Sequence, residues 1–408
     1  MAVLERGIFS GPLAPEVRAL EADFQTYSGA KYCLATNSGT AALHIAVAAA
    51  GIGPGDEVIT PAFSFVATAM SVLEHGAIPT FVDIEPATFN IDAAKIEAAI
   101  TERTKAIMPV HMHGMPADMD PILAIAKKHN LFVIEDAAQA HGAKYKGKPV
   151  GTMGVAAGFS MQSSKNLSAG EGGLFVTNDE ELYKRANRTR MFGEDTNPRD
   201  PSGFNPARPL DADRAYDSQS VGWMYRTNEM TASLARSQLA RLEAANEQAR
   251  RNATVLSAAL AKLPGVTPPV VPADRVTCWH KYRVSFDASA VGVNAQAKRV
   301  RTALLAGLRA EGVDTVLWQT QPIPGQRVFQ ERVGFGKGYP WTLVKADYAK
   351  PYDPASYPVT QHVLDHSLCL FSQSFPLAPQ PLVLVAQYGE AFAKVWANLA
   401  ELVEKTPA

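Results

Sequence analysis

The chain reads as an α/β protein, with a large domain built on a mostly parallel central sheet and a smaller α/β domain after it. Three observations predict this. Strand-like and helix-like stretches alternate from about Val17 to Thr177, the order that lays helices over a parallel sheet. The strand candidates are short apolar runs, as expected of strands buried on both faces. An Ala-, Leu-, Arg- and Glu-rich helical stretch from Glu229 to about Leu263 then leads into a second mixed unit. The expected division is residues 10–250 and 251–408.

In chain order, Gly39 opens an Ala-rich helical run. Strands are predicted at Glu57–Thr60, Thr80–Asp83, Ala106–Val110 and Leu131–Ile134, with helices near Ala93–Ile100 and Pro121–His129 between them. Gly193–Asp217 is rich in Pro, Asp, Arg and Ser and reads as a long surface loop. Beyond Leu263, a strand is predicted at Tyr282–Phe286 and helices at Ala295–Glu311 and Pro381–Lys405.

Composition narrows the function classes. A formal net charge of -1 over 408 residues gives no basic footprint for nucleic acid. Three cysteines, Cys33, Cys278 and Cys369, form no paired framework and no zinc spacing. No apolar run reaches the length of a membrane span. The first residues lack the basic-then-apolar pattern of a secretory leader. A cytoplasmic protein without a metal centre is expected.

Three motifs carry chemistry. Lys165 lies among Ser, Gly and Asn in a stretch from Gly158 to Gly173. A lysine held in a tight pocket loses its proton more readily and can form a Schiff base with an aldehyde cofactor. Taken alone, an exposed lysine in a Ser/Gly loop fits as well. Asp136 ends the apolar run that begins at Leu131. An acid at the carboxyl end of such a strand sits where open α/β sheets bind ligands, and pyridoxal phosphate needs an acid beside its ring nitrogen. A helix N-cap is the plainer reading of Asp136. Ser38, Gly39 and Thr40 open a helix, where backbone N–H groups suit a phosphate, although the same residues make an ordinary cap.

These stretches resemble the DegT/DnrJ/StrS-type aminotransferases, fold type I enzymes that use pyridoxal 5'-phosphate on sugars and cyclitols. The resemblance runs through Asn37–Leu43, Gly53–Pro61, Phe63–Thr68, Glu135–Gln139, Ser160–Lys165, Gly170–Gly173, Tyr225–Glu229 and Gln238–Leu242. It implies that Lys165 holds the cofactor and moves the proton, and that Asp136 pairs with the ring nitrogen. It places Gln139 near the phenolic oxygen, Gly39, Thr40 and Ser160 at the phosphate, and Phe65 on the ring. Phe63, two residues away, competes with Phe65 for that place, and either can face the core. Arg226 would reach the neighbouring subunit's site, which implies a homodimer. His111, His113 and His141 read as satisfied polar residues rather than ligands.

Gln162 and Pro109–Gly114 resemble the cyclitol aminotransferase and aminohydroxybenzoate synthase branch, which makes L-glutamine a candidate donor beside L-glutamate. The segments Trp318–Gly325 and Phe335–Trp341 match no single acceptor pattern. Three functions follow from the resemblance: an aminotransferase, a dehydratase or aromatising lyase with the same cofactor, and a non-enzymatic cofactor-binding regulatory protein. The complete set of Lys165, Asp136, Gln139, Ser160, Gly39 and Thr40 favours the first.

Overall fold

The computed structural model describes residues 1–10, 14–194, 217–344 and 352–407. Most of the predicted Gly193–Asp217 loop therefore lies outside the described residues. Its flanks meet, because Gln219 N–H donates to the Gly193 carbonyl at 3.0 Å.

The central sheet has seven strands in the order Tyr32–Thr36, Gly173–Thr177, Ala156–Ser160, Phe132–Asp136, Thr104–Ile107, Glu57–Pro61, Ile78–Val82. Only Gly173–Thr177 runs against its neighbours. The α/β expectation holds, and the apolar runs are the buried strands. Two boundaries move in a way that matters. The strand predicted at Leu131–Ile134 runs on to Asp136, so Glu135 and Asp136 both belong to it and point to opposite faces. The strand predicted at Ala106–Val110 is Thr104–Ile107, and beyond it Met108 donates to the Ile59 carbonyl and Val110 meets Asp136 in a parallel bridge.

The helix Gly39–Ala49 is buried almost all round. Its small side chains let it sit close on the sheet. A Cβ at Gly158 would lie 2.7 Å from the Leu43 side chain, so strand and helix approach as only glycine permits. This packing fixes the helix N-terminus beside Ser160.

Glu229–Leu260 forms one helix of 32 residues. Ala232, Ala235, Leu239 and Leu242 belong to the core of the large sheet unit. Ala253, Leu256 and Leu260 belong to a second core with Tyr282, Val284 and Phe392. That second core lies on a four-stranded antiparallel sheet, ordered Val266–Thr267, Tyr282–Phe286, Ser367–Leu370, Thr315–Val316. The helix predicted at Pro381–Lys405 is two helices, Leu382–Ala397 and Leu399–Lys405. At the break, Asn398 turns its side-chain amide back onto the Lys394 carbonyl, the competition with helix bonding that asparagine favours. No described helix is long and apolar enough to cross a membrane.

The helix Pro15–Ser28 begins at Ala14, which has no side chain able to cap it. Glu229 supplies the cap from a distance. Its fully buried carboxylate accepts from the amides of Glu16 at 3.1 Å and Val17 at 2.9 Å, and from Arg6 at 3.2 Å. Glu229→Ala leaves these donors without their acceptor and is expected to cost about 2 kcal/mol of stability. Denaturant unfolding monitored by circular dichroism measures it; an unchanged midpoint would contradict the capping role.

Candidate active site

The carboxyl ends of the parallel strands open into a cavity of about 370 Å³. Phe132–Asp136 delivers Asp136 and Ala156–Ser160 delivers Ser160. Glu57–Pro61 leads into the turn carrying Ser64 and Phe65. Gly39, Thr40, Phe65, Asp136, Gln139, Ser160 and Lys165 all line this space. Arg226 does not join them within one chain. It pairs through its backbone with Thr36, two residues before the Ser38 cap. A larger cavity of about 460 Å³ lies along the edge strand Ile78–Val82, but it contains neither Lys165 nor Asp136 and none of the predicted chemistry.

At one end, the helix Gly39–Ala49 points its N-terminus into the cavity. Ser38 caps it by accepting from the Ala41 amide at 3.0 Å. The amides of Gly39 and Thr40 have no carbonyl four residues back within the helix, so they remain donors at its positive end. Ser160 Oγ stands beside them. A Cβ on Gly39 would lie 2.6 Å from the Ser160 Cβ, closer than any unstrained contact. Gly39→Ala is therefore expected to push these donors apart and weaken binding of a phosphate-bearing ligand about tenfold. Titrating the purified variant with pyridoxal phosphate checks this, and wild-type affinity would contradict it.

Across the cavity, Asp136 is buried and fixed at both oxygens. Oδ2 accepts from Thr68 Oγ1 at 2.7 Å and Oδ1 from the Ala138 amide at 3.1 Å. Burial pushes its carboxyl up; the Thr68 hydroxyl, the Ala138 amide and the charge of Lys165 pull the other way. Lys165 follows a tight turn in which its amide donates to the Gln162 carbonyl at 2.8 Å. The next residue, Asn166, anchors that turn by donating to the Cys278 carbonyl at 2.7 Å. Burial lowers the Lys165 amine to about 8, against the opposing pull of Asp136. Near neutrality the amine thus loses its proton far more easily than an exposed lysine.

Gln139 uses its Oε1 to accept from the His113 amide at 3.0 Å. The group it keeps for the cavity is its Nε2 donor. The Phe63–Phe65 alternation resolves plainly. Phe63 is 1% exposed and packs edge-on against His113 and Trp318, while Phe65 is 54% exposed and lines the cavity. An aromatic face left open beside a buried acid and amine is suited to a flat ring.

The three histidines divide. His111 is satisfied on both nitrogens, by the Ala117 amide and by Glu135 Oε2 at 2.9 Å. His113 accepts from Arg283 Nε at 3.1 Å and leaves Nδ1 without a partner. His141 departs from the expectation, since it is buried with neither ring nitrogen hydrogen-bonded. Desolvation lowers it to about 3, so it stays neutral. Its apolar packing on Phe159 explains how a histidine is held there.

Sequence reasoning missed Thr68, His280, Trp318 and Gln373, which also line the cavity. Thr68 was visible as a hydroxyl at the start of the helix after Phe65. The other three come from the second unit, and no local pattern announces that they return to the first.

The family described as DegT/DnrJ/EryC1/StrS aminotransferase matches residues 2–342. A pleiotropic regulatory protein of Geobacillus stearothermophilus is 42% identical over 330 residues, 80% of each chain. The L-glutamine:scyllo-inosose aminotransferase of Streptomyces griseus is 35% identical over 386 residues, 94% of this chain and 87% of that one. Among solved structures, 3-amino-5-hydroxybenzoic acid synthase superposes with a TM-score of 0.82 at 30% identity, covering 97% of this chain and 94% of that one.

Proposed function

The chain belongs to the DegT/DnrJ/EryC1/StrS aminotransferase family, and from that premise we propose that it moves an amino group from L-glutamate or L-glutamine to a ketone on a sugar, nucleotide-sugar or cyclitol. The observation that carries this is one cavity holding a partly desolvated Lys165 amine and the buried Asp136 carboxylate.

The family's aminotransferases use pyridoxal phosphate, and the residues fit it. The free amides of Gly39 and Thr40 with Ser160 Oγ suit a phosphate. Asp136 suits a protonated ring nitrogen, the Gln139 donor a phenolate, and the open face of Phe65 a planar ring. When bound, the cofactor supplies an electron-accepting ring that carries the amino group between the two substrates.

The chain's residues do the rest. Lys165 Nζ would hold the cofactor and, once freed, would carry the proton from the donor's α-carbon to the cofactor carbon it had held. Asp136 would keep the ring nitrogen protonated through its fixed carboxylate. Phe65 and Trp318 give the cavity aromatic surface.

Gln162, Ser164, His280 and Trp318 also line the cavity. Burial and the neighbouring Lys165 and Lys281 hold His280 well below its ordinary range, so it is neutral. Uncharged hydrogen-bonding groups beside an indole suit a polyhydroxylated ring. Gln162, and the Streptomyces griseus relative named for L-glutamine, support glutamine as donor.

Offering both donors with scyllo-inosose and with keto-sugar nucleotides, and reading the products by mass, tests the reading. Amination of at least one ketone is expected. Activity with glutamate alone would reject the glutamine donor, and amination of none would reject the function.

The relative named as a regulatory protein supports a second reading, a member that binds the cofactor without turnover. The same assay separates the two. We also propose a homodimer in which Arg226 serves the neighbouring site. Among the described residues, Lys165 is the only lysine or arginine lining the cavity, so an anionic ligand would gain from a second subunit's arginine. Light scattering that gives a monomer would reject this.

A further inference from the structure

We propose that Thr68 is the positioning residue for Asp136, the last link of a hydroxyl relay from Ser64 that aims and charges the carboxylate before the cofactor arrives. Three distances carry it. Thr68 Oγ1 lies 2.7 Å from Asp136 Oδ2, and Ser64 Oγ lies 2.8 Å from Thr68 Oγ1. The Phe65 carbonyl, 3.1 Å from the same Thr68 oxygen, is a competing acceptor for its proton, farther away and uncharged. A hydroxyl has one proton, and an ionised carboxylate only accepts. Thr68 therefore gives its proton to Asp136, and Ser64 gives its own to Thr68. Both hydroxyl groups are shielded from water, with Thr68 and Ser64 each 1% exposed, so no solvent molecule replaces the bond if it is lost.

The arrangement has two consequences. The carboxylate is held from the strand side by the Ala138 amide and from the helix side by Thr68, which leaves it one orientation in the cavity. Its negative charge, disfavoured by burial, is offset by a charge-assisted bond that water cannot supply there. Thr68 also ties Asp136 to the turn that presents Phe65, since Phe65 is the third residue before it. The acid and the aromatic wall thus move as one unit. The Thr68 hydroxyl is committed to Asp136, Ser64 and the Phe65 carbonyl, so it acts through the acid rather than on the ring.

The proposal rests on pyridoxal phosphate occupying the cavity, and its test separates the two. Two probes are titrated into the apoprotein: pyridoxal phosphate, and its analogue with a C–H in place of the ring nitrogen. Three forms are compared: wild type, Thr68→Val and Thr68→Ser. Wild type is expected to bind pyridoxal phosphate more tightly than the analogue. Thr68→Val is expected to weaken pyridoxal phosphate about 10- to 100-fold and to leave the analogue unchanged. Thr68→Ser, which keeps the hydroxyl, is expected to restore wild-type behaviour. Equal losses for both probes in Thr68→Val would show a merely structural role and overturn the proposal, as would a Thr68→Ser variant no better than valine. Wild type unable to bind pyridoxal phosphate at all would overturn the cofactor reading and the proposal with it.

Discussion

Replacing Lys165 by alanine is expected to lower kcat by about 10⁴-fold or more, because a positioned acid–base group contributes up to that factor and this residue is also the cofactor's anchor. The fold should survive. Lys165 lies in a turn held by other groups, the Gln162 carbonyl and Asn166, and removing a desolvated amine takes away a cost of burial. The distinguishing measurement is therefore turnover set beside thermal unfolding. A large kcat loss with an unchanged melting curve supports the role. Lys165→Arg adds a second test. Its guanidinium stays protonated and cannot take the carbon proton, so it should be as inactive as alanine despite keeping the charge. Recovery of turnover in the arginine variant would mean that charge, rather than proton transfer, is what Lys165 provides.

Asp136→Asn is expected to have the second-largest effect, a fall in kcat of about 10²- to 10³-fold, the size typical of removing one preorganised electrostatic partner. Asparagine has nearly the same shape and keeps one acceptor oxygen, enough for the Ala138 amide, while its NH2 can donate to Thr68 Oγ1 once that hydroxyl turns its own proton to the Phe65 carbonyl. What it removes is the charge that holds a proton on the ring nitrogen. The cofactor should still attach through Lys165, so a visible absorbance band should persist in the variant, shifted from that of the wild type. Loss of turnover with that band present separates an electronic role from a failure to bind. If Asp136→Asn retains wild-type turnover, the acid is a cap and the plainer reading of the sequence stands.

Much of the site was legible because it is local. Asp136, Ser160 and Gly39 each sit where a strand ends or a helix begins, and both carry a sequence signature. Apolar runs gave the strands, and Ser38 marked the start of its helix. Phe65 was not separable from Phe63 by pattern, since both are aromatic in alternation. Their difference is set by Trp318, His113 and Arg283, which arrive from far along the chain and cover Phe63 alone. His280 and Gln373 escaped for the same reason, because cavities closed by a second unit have no local signal. The split at Asn398 and the distant cap from Glu229 are tertiary choices of the same kind. Arg226 is a different case, since its expected partner lies on another chain.

The most direct test of the central claim is the absorbance spectrum of the purified protein with pyridoxal phosphate, followed as L-glutamate or L-glutamine is added with no acceptor present. The account predicts that the visible band of the lysine-held cofactor falls while the near-ultraviolet band of pyridoxamine phosphate rises, with neither change in Lys165→Ala. A band that forms through Lys165 but ignores both donors would contradict the proposed transfer, and the absence of any such band would contradict the site itself.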